Sequence, residues 1–323
     1  MPCYRPLDAY VVAGKSKHGK KRIAFKRIIG ETIEKIQLPC GQCIGCKTIR
    51  SLSWALRCTH EMSLHDRNCF ITLTYDDKHL PQNYSLDDPS LRKVGKSPFQ
   101  LFIKRFRKSI SPIKIRYFMC GEYGDDSWRP HYHAIIFGYD FPDKIRVQST
   151  DVANPYFISP LLSKLWPMGF HIIAEANFDT AAYVARYCLK KITGENAVSH
   201  YYRSIVDGFN PYTGEFDSWR EVELVPEYAT MSRRPAIGKG WYEKFKMDCY
   251  PSDYLIVDGR KVPIPKYYDK LLELEDEYTH AAIKTKRELR IALMDESEKS
   301  RERLKQKEAV KKAQSQSLTR IKI

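Results

Sequence analysis

No apolar run in the 323-residue chain approaches the roughly twenty residues that a membrane-spanning helix needs. The opening Met1-Pro2-Cys3-Tyr4-Arg5 lacks the apolar core of a secretory signal, so the expectation is a soluble, cytoplasmic protein without a membrane partner. Acid is scarce where base is dense. Residues 1–60 hold twelve Lys or Arg against three acids, and residues 92–116 hold nine basic residues and no acid. A net charge of +15 points to a polyanionic partner, either nucleic acid or an anionic membrane surface, and one-sided blocks of this kind favour a phosphate-tracking role over an ordinary mixed-sign surface. Nine cysteines, an odd number without a secretory signal, do not make a disulfide framework. What is abundant is apolar residues, 43% of the chain, enough to bury a real core.

Tyr10–Ala13 and Arg22–Phe25 flank a basic tip and predict a hairpin. A helix follows over Thr48–His65, and alternation predicts strands at 69–75, 113–120, 130–137 and 170–174. Phe99, Phe102, Ile103 and Phe106 fall at helical spacing, so that helix buries its phenylalanines and presents Lys104, Arg105, Arg107 and Lys108. Another helix starts at Asp179, taken as the N-cap, and runs to about Ile192. Residues 201–262 give no clear pattern, and Tyr267–Ala313 predicts one long charged helix. The expected class is α+β, a central antiparallel sheet with flanking helices. The segments are an N-terminal basic hairpin and cysteine region (1–68), a core (69–200) and an accessory C-terminal region (201–323).

Three constellations carry chemistry. In Arg129-Pro130-His131-Tyr132-His133 the histidines lie two apart on a strand and share a face, half of a divalent-metal site. Glu122, across the Gly124 turn, could supply a third ligand. In Ala182-Tyr183-Val-Ala-Arg186-Tyr187-Cys-Leu-Lys190 the tyrosines at i and i+4 share a helix face, and each has a cation three residues on. Such a stripe taken alone is more often core than nucleophile. Cys40-Gly-Gln-Cys43-Ile-Gly-Cys46 spaces three thiols on a glycine-rich turn suited to tetrahedral zinc. Cys3 is the expected fourth ligand, with Cys58 and His60 behind it. Cys69, Cys120, Cys188 and Cys249 read as core residues. Gly14-Lys-Ser-Lys-His-Gly19-Lys20 has phosphate-loop spacing, but Lys21 stands where Ser or Thr must hold magnesium. No ATPase is inferred, and unwinding would need a separate helicase.

Preceded by Phe70-Ile-Thr-Leu-Thr-Tyr75, the histidine and tyrosine motifs together resemble the three ordered motifs of HUH endonucleases, the superfamily of rolling-circle initiators and relaxases. The paired tyrosines make the chain most similar to the two-tyrosine branch of small single-stranded-DNA bacteriophages. The Met1-Pro-Cys-Tyr start, the cysteine cluster and Ser232-Arg-Arg-Pro235 resemble gokushovirus-type microvirus initiators. The motif match spans about 70–191, with Arg186 where many relatives have lysine. The resemblance implies an HUH/RRM-like fold and a catalytic divalent metal, Mg2+ or Mn2+, on His131, His133 and Glu122. It also implies nucleophiles at Tyr183 and Tyr187, origin DNA as substrate, and host helicase and polymerase as partners. The metal and Lys190 would favour phenolate over phenol. A non-catalytic zinc-stabilised nucleic-acid binder and a metal-dependent phosphohydrolase are the competing readings.

Overall fold

The computed structural model describes residues 3–15, 21–81, 85–86, 97–124, 128–147, 155–187, 196–209 and 216–317, with backbone alone for 187, 196, 203–209, 216–220 and 316–317. The chain divides into two compact units, Met1–Arg50 with Asp269–Ile323, and Ser51–Tyr268.

The smaller unit opens with an antiparallel three-stranded sheet, β1 (Leu7–Lys15), β2 (Lys21–Ala24) and β3 (Thr32–Leu38), in the order β2-β1-β3. The expected hairpin is β1–β2, whose tip at 16–20 lies outside the described residues. β3 was not expected. Helix α1 (Ile44–Met62) begins and ends a few residues before its expected bounds.

The larger unit is built on one sheet whose neighbouring strands pair antiparallel. Its strands are β4 (Asn68–Tyr75), β5 (Arg116–Tyr123), β6 (Pro130–Phe137), β7 (Ile145–Arg146), β8 (Phe157–Ile158), β9 (Gly169–Glu175) and β12 (Tyr228–Met231). Their order is β12-β5-β6-β4-β9-β8-β7. β5 starts three residues later than expected, because Ile113 N–H closes a turn onto Ile110 C=O after the preceding helix. It also runs three residues further, since Glu122 and Tyr123 stay paired with His131 and Pro130. Hairpins β10 (Tyr202–Phe209)–β11 (Phe216–Glu223) and β13 (Leu255–Val257)–β14 (Arg260–Val262) complete the strands.

Period-two alternation sorts the sheet's side chains into two cores. Cys69, Ile71, Leu73 and Tyr75 join Tyr132, Ala134 and Ile136 on one face, against Phe99, Phe102, Ile103 and Phe106 of α2 (Pro98–Ser109). Ser97 starts α2 through a capping box with Gln100, with Pro98 in the first turn. Phe70, Phe118, Cys120, Ile135 and Phe137 occupy the other face. They pack on Ala55, Cys58 and Met62 of α1 and on Ala181 and Val184 of α4 (Phe178–Tyr187). Short helices α3 (Pro160–Leu165) and α5 (Asn196–Tyr201) and the longer α6 (Lys239–Cys249) lie between strands in sequence.

Two expectations are corrected. The N-cap of α4 is Asn177, not Asp179: Asn177 Oδ1 accepts Thr180 N–H at 2.9 Å, while Thr180 Oγ1 accepts Asn177 N–H at 2.9 Å. Threonine three residues on lets Asn177 satisfy two orphan donors reciprocally, which Asp179 cannot do. The continuation of this helix past 187 lies outside the described residues.

The C-terminal region is also not one long helix. It forms α7 (Lys266–Glu275), α8 (Glu277–Ala292), a 3-10 turn (Glu296–Lys299) and α9 (Arg301–Ser317). Asp276 accepts Thr279 N–H, Asp295 accepts Ser297 N–H and Ser300 accepts Arg303 N–H, so each break is a new cap. Polar cap formers inside a weak apolar stripe restart the helix instead of continuing it.

Candidate metal centre and tyrosine helix

Register brings the first cluster together. Glu122 on β5 stands opposite His131 on β6, and His131 stands opposite Thr74 on β4. Two residues along, His133 pairs with Cys120 on one side and Thr72 on the other. All these side chains share the α4 face. Glu122 Oε1 lies 2.9 Å from His131 Nε2 and 2.7 Å from His133 Nε2. Cis ligands about 2.1 Å from one ion stand roughly 3 Å apart, so the separations suit a single divalent cation.

The far side of each ring fixes what the near side offers. His131 Nδ1 lies 3.0 Å from the Arg129 carbonyl, which can only accept, so Nδ1 carries a proton. With Nδ1 so engaged, Nε2 is the ring atom turned to Glu122 and available to a cation. His133 Nδ1 meets the Thr72 hydroxyl at 2.9 Å, the outer hydrogen bond that metal-ligating histidines usually have. Glu122 and His133 are buried, and His131 forms the more open edge. Burial alone would raise the Glu122 carboxyl, but hydrogen bonds and charge from His131 and His133 outweigh it and hold the group below its usual range.

Tyr183 on α4 closes over this cluster. Its ring lies edge-on to His133 at 5.1 Å and to Phe70 at 6.1 Å, while Phe70 stacks on His133 at 5.7 Å. His131 and His133 are themselves 4.9 Å apart. The structure therefore joins Glu122, His131, His133 and Tyr183 in one site. Tyr187 is the last described position of α4, given by its backbone alone, and Cys188 and Lys190 lie outside the described residues. Arg186 is exposed on α4. Lys104, Arg105, Arg107 and Lys108 are exposed on α2, against the opposite face of the sheet. Arg105 donates to the Leu165 carbonyl at 3.2 and 3.1 Å, and the Arg107 guanidinium stands 5.8 Å from the Tyr117 ring centre.

Thr72 and Thr74 of the Phe70–Tyr75 motif were not singled out as site residues, because threonine in a strand reads first as a β-former. Arg129 was also passed over. It ties the His131 strand to the end of β4, donating to the Tyr75 carbonyl at 2.8 Å and pairing with Asp77.

The smaller unit holds the second donor group. Sulfurs of Cys3, Cys40, Cys43 and Cys46 all lie within 4.8 Å of one another. The Cys3–Cys43 separation is 3.8 Å, about the edge of a tetrahedron with zinc–sulfur bonds near 2.3 Å. Backbone N–H groups of Cys40, Cys43 and Tyr4 donate to Cys3, Cys40 and Cys43 sulfurs at 3.2, 3.3 and 3.4 Å. Burial would raise the Cys43 thiol, but N–H donors from Cys46 and Tyr4 and neighbouring thiols bring it down to about 7. Tyr4, Cys43 and Leu304 of α9 are buried together beside the cluster, and Arg5 pairs with Glu308 at 2.7 Å. The runners-up for the fourth position are engaged elsewhere. Cys58 is in the sheet core, and His60 stacks on Trp241 at 3.5 Å and meets the Tyr268 hydroxyl at 2.9 Å.

In class, this is an α+β protein whose antiparallel sheet carries a two-histidine, one-carboxylate cluster under a tyrosine-bearing helix. Residues 68–192, the segment holding that site, match the family model of replication-associated protein ORF2/G2P. The chain is 29% identical over 277 residues to replication-associated protein VP4 of Bdellovibrio phage phiMH2K, covering 83% of this chain and 76% of the relative. It is 28% identical over 305 residues to replication-associated protein ORF2 of Spiroplasma virus 4, covering 89% and 86%. Replication-associated protein ORF4 of Chlamydia phage 1 is 27% identical over 265 residues, covering 76% of this chain and 57% of its own length. No solved structure matches the chain. These matches bear out the resemblance carried by the motifs: the chain is similar to replication-associated proteins of bacteriophages.

Proposed function

We propose that the protein initiates rolling-circle replication of a phage genome by nicking and rejoining single-stranded origin DNA through tyrosine. The observation that supports this most is the meeting of Glu122, His131 and His133 beneath the Tyr183 ring, inside the segment matched to the replication-associated family. His131, His133 and Glu122 would hold a divalent metal, Mg2+ or Mn2+, which when bound polarises the scissile phosphate and offsets its charge. The phenol of Tyr183 or Tyr187 attacks phosphorus and the bond to the 3′ oxygen breaks. The phenolic proton ends on that oxygen, leaving a 5′-phosphotyrosine and a free 3′-OH. The chain's own residues supply position. Thr72 orients His133, the Arg129 carbonyl orients His131, and α4 carries the phenol on a rigid element. Lys190 and Arg186 would favour the ionised phenol and the DNA backbone respectively.

The cations of α2, on the far face, would meet DNA flanking the nick. The Cys3, Cys40, Cys43 and Cys46 cluster would hold a structural zinc, since four thiolates leave no position for substrate. Unwinding and synthesis would fall to host helicase and polymerase in the host cytoplasm. No helix among the described residues is long and apolar enough to cross a membrane.

Incubation with an end-labelled single-stranded origin oligonucleotide and Mn2+ tests the reading. A covalent protein–DNA adduct supports it, a free nicked product makes the protein a hydrolase, and a mobility shift without cleavage makes it a binder. If the tyrosines take turns, Tyr183→Phe and Tyr187→Phe should each still form some adduct, fail at repeated transfer, and together form none.

A further inference from the structure

The row of side chains that contains the metal cluster does not end at β4. Glu122 pairs with His131, His131 with Thr74, and Thr74 with Phe170 on β9. Phe170 shares their face, because Ile173 between its neighbours packs into the α2 core while Ala174 joins the α4 core with Phe70. Two strand spacings of about 4.8 Å put Phe170 roughly 10 Å from His131 along the row.

The ring is bare. Phe170 is 68% exposed and makes no aromatic contact among the described residues. The next row along the same face is covered, with the Phe70 and Tyr183 rings lying against His133. A lone exposed phenylalanine is ordinary on a protein surface. Phe170 differs in its place beside the donor cluster and in how firmly its strand end is held. Gly169 has φ +148, and a Cβ there would fall 2.3 Å from Asp76 N and 2.4 Å from Thr74 O, so the backbone of β9 is seated against β4 at this point. Trp166 Nε1 donates to the same Thr74 carbonyl at 3.1 Å. The strand end therefore presents an uncovered aromatic face in fixed register with the cluster.

We propose that Phe170 is a stacking platform for a base of the single-stranded substrate close to the phosphate held at the Glu122, His131 and His133 cluster. This rests on the endonuclease reading and adds the residue that positions the strand. Every base has a π-face, so such a platform tolerates sequence while holding the backbone in place. Phe170 is a positioning residue, touching a base and not the reacting phosphate.

The test is fluorescence of a single-stranded origin oligonucleotide carrying one 2-aminopurine stepped along its length, titrated with the zinc-loaded full chain without added Mn2+ or Mg2+. Quenching should peak at one or two adjacent positions. Phe170→Leu should abolish that peak and weaken binding about 5- to 150-fold, while Phe170→Tyr keeps both. Because the site is exposed, thermal melting of both variants should match the parent. Binding and quenching by Phe170→Leu equal to the parent, or no position-dependent quenching by the parent, would overturn the platform. Adduct formation by the parent with Mn2+ is read separately on a denaturing gel. No adduct with the quenching peak intact removes the nuclease reading and leaves the platform. An adduct with quenching indifferent to Phe170 removes the platform alone.

Discussion

Replacing Thr72 by valine should loosen the metal site without loosening the fold. The hydroxyl meets His133 Nδ1 at 2.9 Å, and His133 is 2% exposed, so water cannot readily take its place. Valine keeps the β-branch and nearly the volume of threonine, and Thr72 stays flanked by His133 on β6 and Ile172 on β9. The change therefore falls on the orientation and basicity of one imidazole. Outer hydrogen bonds of this kind are worth 10- to 100-fold in metal affinity, or about 1.4–2.7 kcal/mol. His131 is the built-in comparison, because its Nδ1 partner is the Arg129 backbone carbonyl, which the substitution leaves alone. Titration of the zinc-loaded protein with Mn2+, followed by electron paramagnetic resonance, should show the dissociation constant rising by that factor. Thr72→Ser, which keeps a hydroxyl, should restore most of it. A dissociation constant for Thr72→Val within about twofold of the parent, with melting unchanged, would refute the argument that the hydroxyl tunes the ligand.

Metal analysis of purified protein should find one zinc per chain, and Cys43→Ser should lower thermal stability more than nicking by the protein that stays folded; absence of zinc would sink this. Burial against Trp241 pushes His60 down to about 4 from 6.5. The ring stays neutral in the fold while the unfolded chain protonates it, so stability is full above pH 6.5 and falls by up to about 3 kcal/mol toward pH 4. Urea melts of the parent against His60→Phe should show that slope disappear. Affinity for single-stranded DNA should drop steeply between low and physiological salt as counterions are released, and salt-insensitive binding would refute the electrostatic reading of the basic blocks.

The histidine site was legible because period two is unforgiving. His131 and His133 must share a face on any strand, and the pairing of Tyr123 with Pro130 sets Glu122 opposite His131. The same rule hid Phe170. In Phe170-His-Ile-Ile-Ala174 every apolar residue reads as core, and only the ends of neighbouring elements decide which ring stays uncovered. Edge strands were illegible for a related reason. Tyr228–Met231 owes its strand conformation to pairing with β5, reinforced by Ser232 Oγ accepting Tyr117 N–H at 3.1 Å, a partner more than a hundred residues away. Helix ends turned on which of two good cap formers finds a reciprocal donor, so Asn177 won over Asp179 through Thr180.

The two donor clusters differ in how much of a coordination shell their side chains offer. Cys3, Cys40, Cys43 and Cys46 offer four sulfurs, enough to fill a tetrahedron, and backbone N–H groups already donate to three of them. Glu122, His131 and His133 offer three donors, nitrogen and oxygen, with His131 at the open edge and a tyrosine ring against His133. A phosphate can enter a coordination shell only if the protein leaves it incomplete. Three donors set on adjacent strands also resist collapse onto the missing position, because the ladder between β5 and β6 fixes their spacing whether or not a fourth ligand is present. That rigidity is the physical reason to look for phosphoryl transfer at the sheet and for stability at the cysteine turn.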